Sequence, residues 1–250
     1  MSPLLSLEHH GDVALLRLRA PKANSLGKEL LDALFAALDE IDHATAVVIT
    51  GDGSVFSAGL ALPELIELDR AQMSAHIELF ERVMRRILTE PRATVAAING
   101  HAFAGGCVIA LSCDARVMAA GDAKIGLNEI QLGIGLPALV AEPLRHRVPA
   151  SSLTAIALAG RLFRPEEAKS LGLVDEVVAP DRLEARAIEL AAEMGKAPLA
   201  YMQIKHAMLR PVLETIDRVA VAEREAWLDT WFSAHAQKQL RAAVDRLTKK

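Results

Sequence analysis

Cysteine is nearly absent: the 250 residues hold only Cys107 and Cys113, six apart in one apolar segment. That spacing suits neither a zinc knuckle nor a redox pair. Reduced, buried thiols are the expectation, and with them a reducing compartment, the cytoplasm. Aromatic residues are scarce too, at 4%, so Ala, Leu, Val and Ile must fill the interior of a chain that is 52% hydrophobic. No long block of like charge interrupts the sequence, and the formal net charge is only −4. General attraction to nucleic acid or to an anionic membrane is therefore not expected. The histidines at 9, 10, 43, 76, 146, 206 and 235 are scattered without metal-ligand spacing, so no metal is expected. The N-terminal MSPLLSLEHHGD has no basic region before an apolar run, and the C-terminal RLTKK is no peroxisomal tripeptide. No targeting segment is expected from either.

One run lacks charge altogether. Ala93 to Cys113 is long enough to span a bilayer. Its middle, however, holds Asn99, Gly100, His101, Gly105 and Gly106, which hydrocarbon would penalise. A buried strand, a glycine loop and a buried helix account for it better, and no membrane association is expected.

What is present is a rhythm. Val13 to Leu18 reads as a strand, broken at Ala20-Pro21-Lys22-Ala23-Asn24. Leu30, Leu31, Leu34, Phe35, Leu38 and Ile41 then recur at helical spacing. Short apolar runs at 46–50, 94–99 and 115–119 predict buried strands, each followed by a turn and a helix or loop. Strand, loop and helix repeat through about Val178, which predicts an α/β core with parallel strands. From about Pro180 only helical periodicity remains, with Trp227, Trp231 and Phe232 clustered there. The division expected is residues 1–190 as core and 191–250 as a helical region.

Three segments could carry chemistry. Val55-Phe56-Ser57-Ala58-Gly59-Leu60-Ala61-Leu62 and Asn99-Gly100-His101-Ala102-Phe103-Ala104-Gly105-Gly106-Cys107 each join a buried strand to a helix. A helix start presents unpaired N–H groups and a positive dipole end. Two such groups aimed at one point make an oxyanion hole; taken singly, each loop reads better as an ordinary strand-to-helix turn. Neither matches a phosphate-cradling or dinucleotide pattern. The third segment, 126–133, places Glu129 between apolar neighbours and two glycines. Periodicity alone favours a solvated surface glutamate; the alternative is a partly buried proton-transfer group with a raised pKa. Asn128 either orients Glu129 or closes the turn. His101 is expected to be structural, and Ser57 lacks the pattern of an activated nucleophile.

Taken together, FSAGLAL at 56–62, NGHAFAGGCVIALSCD at 99–114, IGLNEIQLGI at 125–134 and LAGRLFRPEEAKSLGLVDEVV at 158–178 resemble the enoyl-CoA hydratase/isomerase (crotonase) family. The resemblance implies a spiral of repeated ββα units and a C-terminal helical trimerisation region, with trimers often paired into hexamers. It implies an acyl-CoA substrate in fatty-acid β-oxidation and no cofactor beyond the coenzyme A carried by that substrate. A thioester enolate would be pinned by the main-chain N–H groups of Leu60 and Gly105. Ala58, Gly59, Leu60, Ala61, Leu62, Gly105, Gly106, Val108 and Asn128 would contact substrate. Lys22, Lys28 and Arg246 are expected near the coenzyme A phosphates, and Phe103, Val108, Leu127 and Ile130 along an apolar lining.

Two positions depart from the family pattern. Ala61 stands where the first loop usually carries Asp. Val108 stands where the hydratases of the family carry the first of two glutamates, leaving Glu129 alone. Adding water calls for two groups, whereas carrying a proton from C2 to C4 needs one. The chain is therefore similar to the Δ3,Δ2-enoyl-CoA isomerases. The alternatives are a hydratase or another acyl-CoA reaction such as hydrolysis or dehalogenation. An RNA-binding relative is less favoured for want of a basic, aromatic-bearing stripe, and a silent one because the glycines of both loops and Glu129 are intact.

Overall fold

A computed structural model of the chain describes residues 2–248. Met1, Lys249 and Lys250 lie outside the described residues, and with them the end of the RLTKK segment.

Strands β1 (Leu5–His10) and β2 (Val13–Leu18) form an antiparallel hairpin. A single turn, α1 (Pro21–Asn24), and helix α2 (Lys28–Glu40) follow. Three ββα units come next. The first is β3 (Ala46–Gly51), β4 (Val55–Ser57) and helices α3 (Leu62–Leu65) and α4 (Arg70–Leu88). The second is β5 (Ala93–Ile98), β6 (His101–Phe103) and α5 (Gly105–Ser112). The third is β7 (Ala115–Ala119), β8 (Ile125–Gly126), a 3-10 turn at Glu129–Leu132 and α6 (Ala138–Arg147). Helix α7 (Pro165–Ser170) and strand β9 (Glu176–Val178) lead into α8 (Leu183–Met194), α9 (Pro198–Trp231) and α10 (Ala234–Thr248).

The leading strand of each unit enters a six-stranded sheet of order β1-β2-β3-β5-β7-β9, parallel from β2 onward. The second strand of each unit enters a small parallel sheet, β4-β6-β8. This is the spiral of ββα units that the resemblance implied. Every residue of β3, β5 and β7 is buried, as in a parallel sheet covered on both faces. Under one face Val13, Leu15, Val48, Val95 and Val117 meet Leu183, Ala187 and Ala191 of α8. On the other, α2, α4, α5 and α6 close the main core. Residues 190 and 191, where the helical region was expected to begin, both fall inside α8.

Local signals fix the long helices. Asp69 caps α4 by accepting from Gln72 N at 2.8 Å, while Gln72 Oε1 accepts from Asp69 N at 3.0 Å. Helix α9 is fastened along α4 by ion pairs: Arg70 with Asp229 at 2.8 Å, Glu81 with Arg224 at 2.7 Å, and Arg85 with Asp217 at 2.6 Å. At its far end Trp227 and Trp231 stack with centroids 5.3 Å apart. They pack with Met73, Ile77 and Ile134 in a separate apolar cluster. No helix among the described residues is long and apolar enough to cross a membrane.

Candidate active site

The first loop reverses at Gly59, whose φ of +85° suits glycine. Space excludes a side chain as well. A Cβ there would lie 2.7 Å from Phe103 O and 3.1 Å from Gly105 N, so the two glycine loops touch at this point. The loop is fastened from behind by α1, in which Lys22, Ala23 and Asn24 all have positive φ. A left-handed turn of non-glycine residues costs roughly 1–2 kcal/mol per residue. Five hydrogen bonds offset that cost. Ala58 N donates to Ala23 O at 3.0 Å, and Leu26 N to Gly59 O at 2.8 Å. Ser57 Oγ donates to Asn24 O at 2.7 Å. Asn24 Nδ2 reaches Phe56 O at 3.1 Å and Val55 O at 3.3 Å.

The second loop enters α5 through Ala104, a non-glycine residue at φ 47°, ψ −115°. Gly106 rests on the first loop: its Cβ would stand 2.3 Å from Ser57 O. Among the described residues, the N–H groups of Leu60 and Gly105 find no acceptor within the protein. Both residues line one cavity of about 600 Å³. The wholly buried α5 begins there, and the positive end of its dipole adds to the attraction for negative charge.

The same cavity is lined by Glu129, at the start of a 3-10 turn closed by left-handed Gly133. Its residue is 8% exposed, and its Oε2 is buried without a hydrogen-bond partner. Burial pushes its pKa from the usual 4.5 up to about 7. Asn128 also lines the cavity, and its Oδ1 is likewise buried and unpartnered. The rest of the wall is almost entirely apolar. Val108 comes from α5, Ile77 and Phe80 from α4, and Trp227, Ala243 and Leu247 from α9 and α10. Burial, joined by the charge of Glu129, also pushes the Cys107 thiol up, so it stays protonated.

Of the residues expected to contact substrate, Ala58, Leu60, Leu62, Gly105, Val108, Asn128 and Glu129 line the cavity. Gly59, Ala61 and Gly106 sit behind that wall and shape the loops; Ala61 is buried. Phe103 lines the cavity as expected, but Leu127 and Ile130 need correction. Leu127 belongs to the main core, and Ile130 is 49% exposed, turned toward Gly160. In a 3-10 turn successive residues face about 120° apart, so a turn that aims Glu129 inward carries Ile130 out. Arg246 lines the cavity, whereas Lys22 and Lys28 line a separate hollow of about 350 Å³ beside Glu64. The His101 ring accepts from Lys124 N at 3.1 Å, a structural role. Sequence reasoning missed Asn24, Ile77, Phe80, Trp227 and Ala243. Periodicity pairs Ile77 with Phe80 on one face of α4, but no local signal carries residues 227 and 243 to the loops.

Comparison with known proteins agrees with this geometry. The family model described as enoyl-CoA hydratase/isomerase matches residues 8–249. The human mitochondrial enoyl-CoA delta isomerase 1 is 32% identical over 244 residues, covering 94% of this chain and 80% of that protein. A putative enoyl-CoA hydratase of Thermus thermophilus is 38% identical over 207 residues, covering 80% and 81%. The crystal structure of human mitochondrial delta3-delta2-enoyl-CoA isomerase superposes with a TM-score of 0.92 at 29% identity, over 98% of each chain. With that match along nearly its whole length, and two glycine loops meeting at one cavity, the chain belongs to the enoyl-CoA hydratase/isomerase family.

Proposed function

We propose that the enzyme converts 3-enoyl-CoA thioesters into the conjugated 2-enoyl isomers, with Glu129 carrying the proton. The observation behind this is a lone, desolvated carboxylate in an apolar wall, with the 2%-exposed Val108 on α5 where a hydratase would need a second acid. Glu129 takes the C2 proton, and the electrons of the C2–H bond move through C1 onto the thioester oxygen. The N–H groups of Leu60 and Gly105 hold that oxygen, each contributing about 3–4 kcal/mol to the barrier reduction. The oxyanion then collapses to a carbonyl, the C3–C4 double bond shifts to C2–C3, and Glu129 returns its proton at C4. A carboxyl whose pKa lies near 7 is suited both to taking and to returning a proton.

The test is the ultraviolet absorbance of the conjugated thioester formed from a 3-enoyl-CoA. Wild-type protein is expected to produce it and Glu129→Ala to lose it; full turnover in that variant would end the mechanism. The Thermus relative's name motivates a second reading, hydration of 2-enoyl-CoA. Substrate deuterated at C2 separates the two, since isomerisation delivers label to C4 whereas hydration adds solvent oxygen at C3.

The reading extends to a trimer in the cytoplasm. The exposed apolar side chains of Leu199, Met202, Ile204 and Met208 along α9 support an interface between copies. The buried, unpaired Cys107 and Cys113 fit a reducing compartment.

A further inference from the structure

We infer that Thr230, on the C-terminal helix α9, is a positioning residue for Glu129, an assignment that rests on the reading of Glu129 as proton carrier. The turn bearing Glu129 continues through Gly133 to Gly135, two residues that leave its main chain intrinsically free. Something outside the turn must hold it. Ile134 N donates to Glu129 O at 3.2 Å, which couples the carboxylate's own main chain to the end of the turn. The next amide, Gly135 N, donates to Thr230 Oγ1 at 3.0 Å. The same hydroxyl donates to Trp227 O at 2.7 Å. One oxygen therefore ties together the turn that carries the base and the helical wall of the cavity, since Gly135 and Trp227 both line it.

A second contact points the same way. At Gly133 a Cβ would lie 2.6 Å from His235 Cδ2, so the corner between α9 and α10 is seated directly on the turn. The opposite edge is held by Gln131 Nε2, donating to Gly160 O at 2.6 Å. Thr230 thus supplies the only side-chain hydrogen bond by which α9 holds this turn among the described residues. It lies some fifty residues beyond the last motif that carries the family resemblance.

Thr230→Val keeps the shape and removes both hydrogen bonds. A freed turn lets the carboxylate drift and admits water. Sub-ångström misplacement of a reacting group costs about 10–100-fold in rate, so kcat should fall by that factor with KM unchanged. Added hydration should also move the rising limb of the kcat–pH profile to lower pH, away from about 7. Thr230→Ser should restore both, since it keeps the hydroxyl. Wild-type kcat in Thr230→Val, a fall in kcat with an unmoved limb, or failure of serine to restore would each overturn the assignment. Thr230→Ala replaces the valine variant if the latter does not fold. The Glu129 carboxyl can also be titrated by infrared difference spectra against Glu129→Gln, which needs no turnover. A lower midpoint in the valine variant supports the tether and an equal midpoint refutes it, even if the wild-type protein fails to isomerise 3-enoyl-CoA.

Discussion

Two carboxylates withdrawn from solvent, Asp114 just before strand β7 and Glu129 shortly after strand β8, are treated in opposite ways. Asp114 accepts from Thr94 N at 3.0 Å, Thr94 Oγ1 at 2.9 Å, Tyr201 OH at 2.7 Å, Lys205 Nζ at 2.7 Å and Arg147 Nη2 at 3.2 Å. Its burial favours the neutral acid, yet the adjacent Lys205 ammonium and the other donors win and hold its pKa below the usual carboxylate value. Glu129 is the more deeply buried of the two and receives no such help: Oε2 has no donor, and its pKa rises to about 7. A fold that assembles five donors around one carboxylate can satisfy another. The one left unsatisfied is the group proposed above to meet its partner in a substrate.

Substitution should separate the two most sharply in turnover. Glu129→Gln keeps the size and removes the proposed base, so kcat for 3-enoyl-CoA should fall about 10²–10⁴-fold while the protein stays folded. Asp114→Asn should do the reverse. It leaves the buried Lys205 and the half-buried Arg147 without their counter-charge, a loss of about 3–5 kcal/mol in denaturant unfolding, with kcat unchanged in the folded fraction. A folded Asp114→Asn protein without activity would break the contrast, because the network would then belong to the site.

The same contrast shows what the sequence made legible. The two loops that meet at the cavity were readable because their requirements fall on glycine. Gly59 must adopt a positive φ against Phe103 O, and no other residue fits. Glu129 was readable as a candidate from its motif, although periodicity alone left it as a surface group. Its desolvation depends on α4, α9 and α10, which converge only in three dimensions. Asn24 looked like a strand breaker because a left-handed turn of Pro-Lys-Ala-Asn leaves no local pattern. Its hydrogen bonds reach residues 31 and 32 positions away. The central strands β3, β5 and β7 of the large sheet were legible for the opposite reason. Their burial on both faces writes continuous apolar runs into the chain. The half-exposed edge strand β1 was not read.

Stability against pH gives the smallest and most specific separation. Between about 4.5 and about 7 the native protein keeps a proton on Glu129 that the unfolded chain releases. Stability is therefore lost as pH rises through that window, by roughly 3 kcal/mol once the native carboxyl has ionised. Glu129→Gln has no such proton to lose, so its advantage over wild type in guanidinium unfolding should grow from about pH 5 to about pH 8. Asp114 has the opposite sign. Its depressed pKa stabilises the native state above the unfolded value of 3.8, and the benefit fades as pH falls through the lower native value. The deficit of Asp114→Asn should accordingly narrow in acid, where that of an unrelated core variant would not. Parallel stability curves for wild type and Glu129→Gln would mean that the Glu129 carboxylate is well solvated. Its isolation in the cavity would then no longer explain its choice as the base.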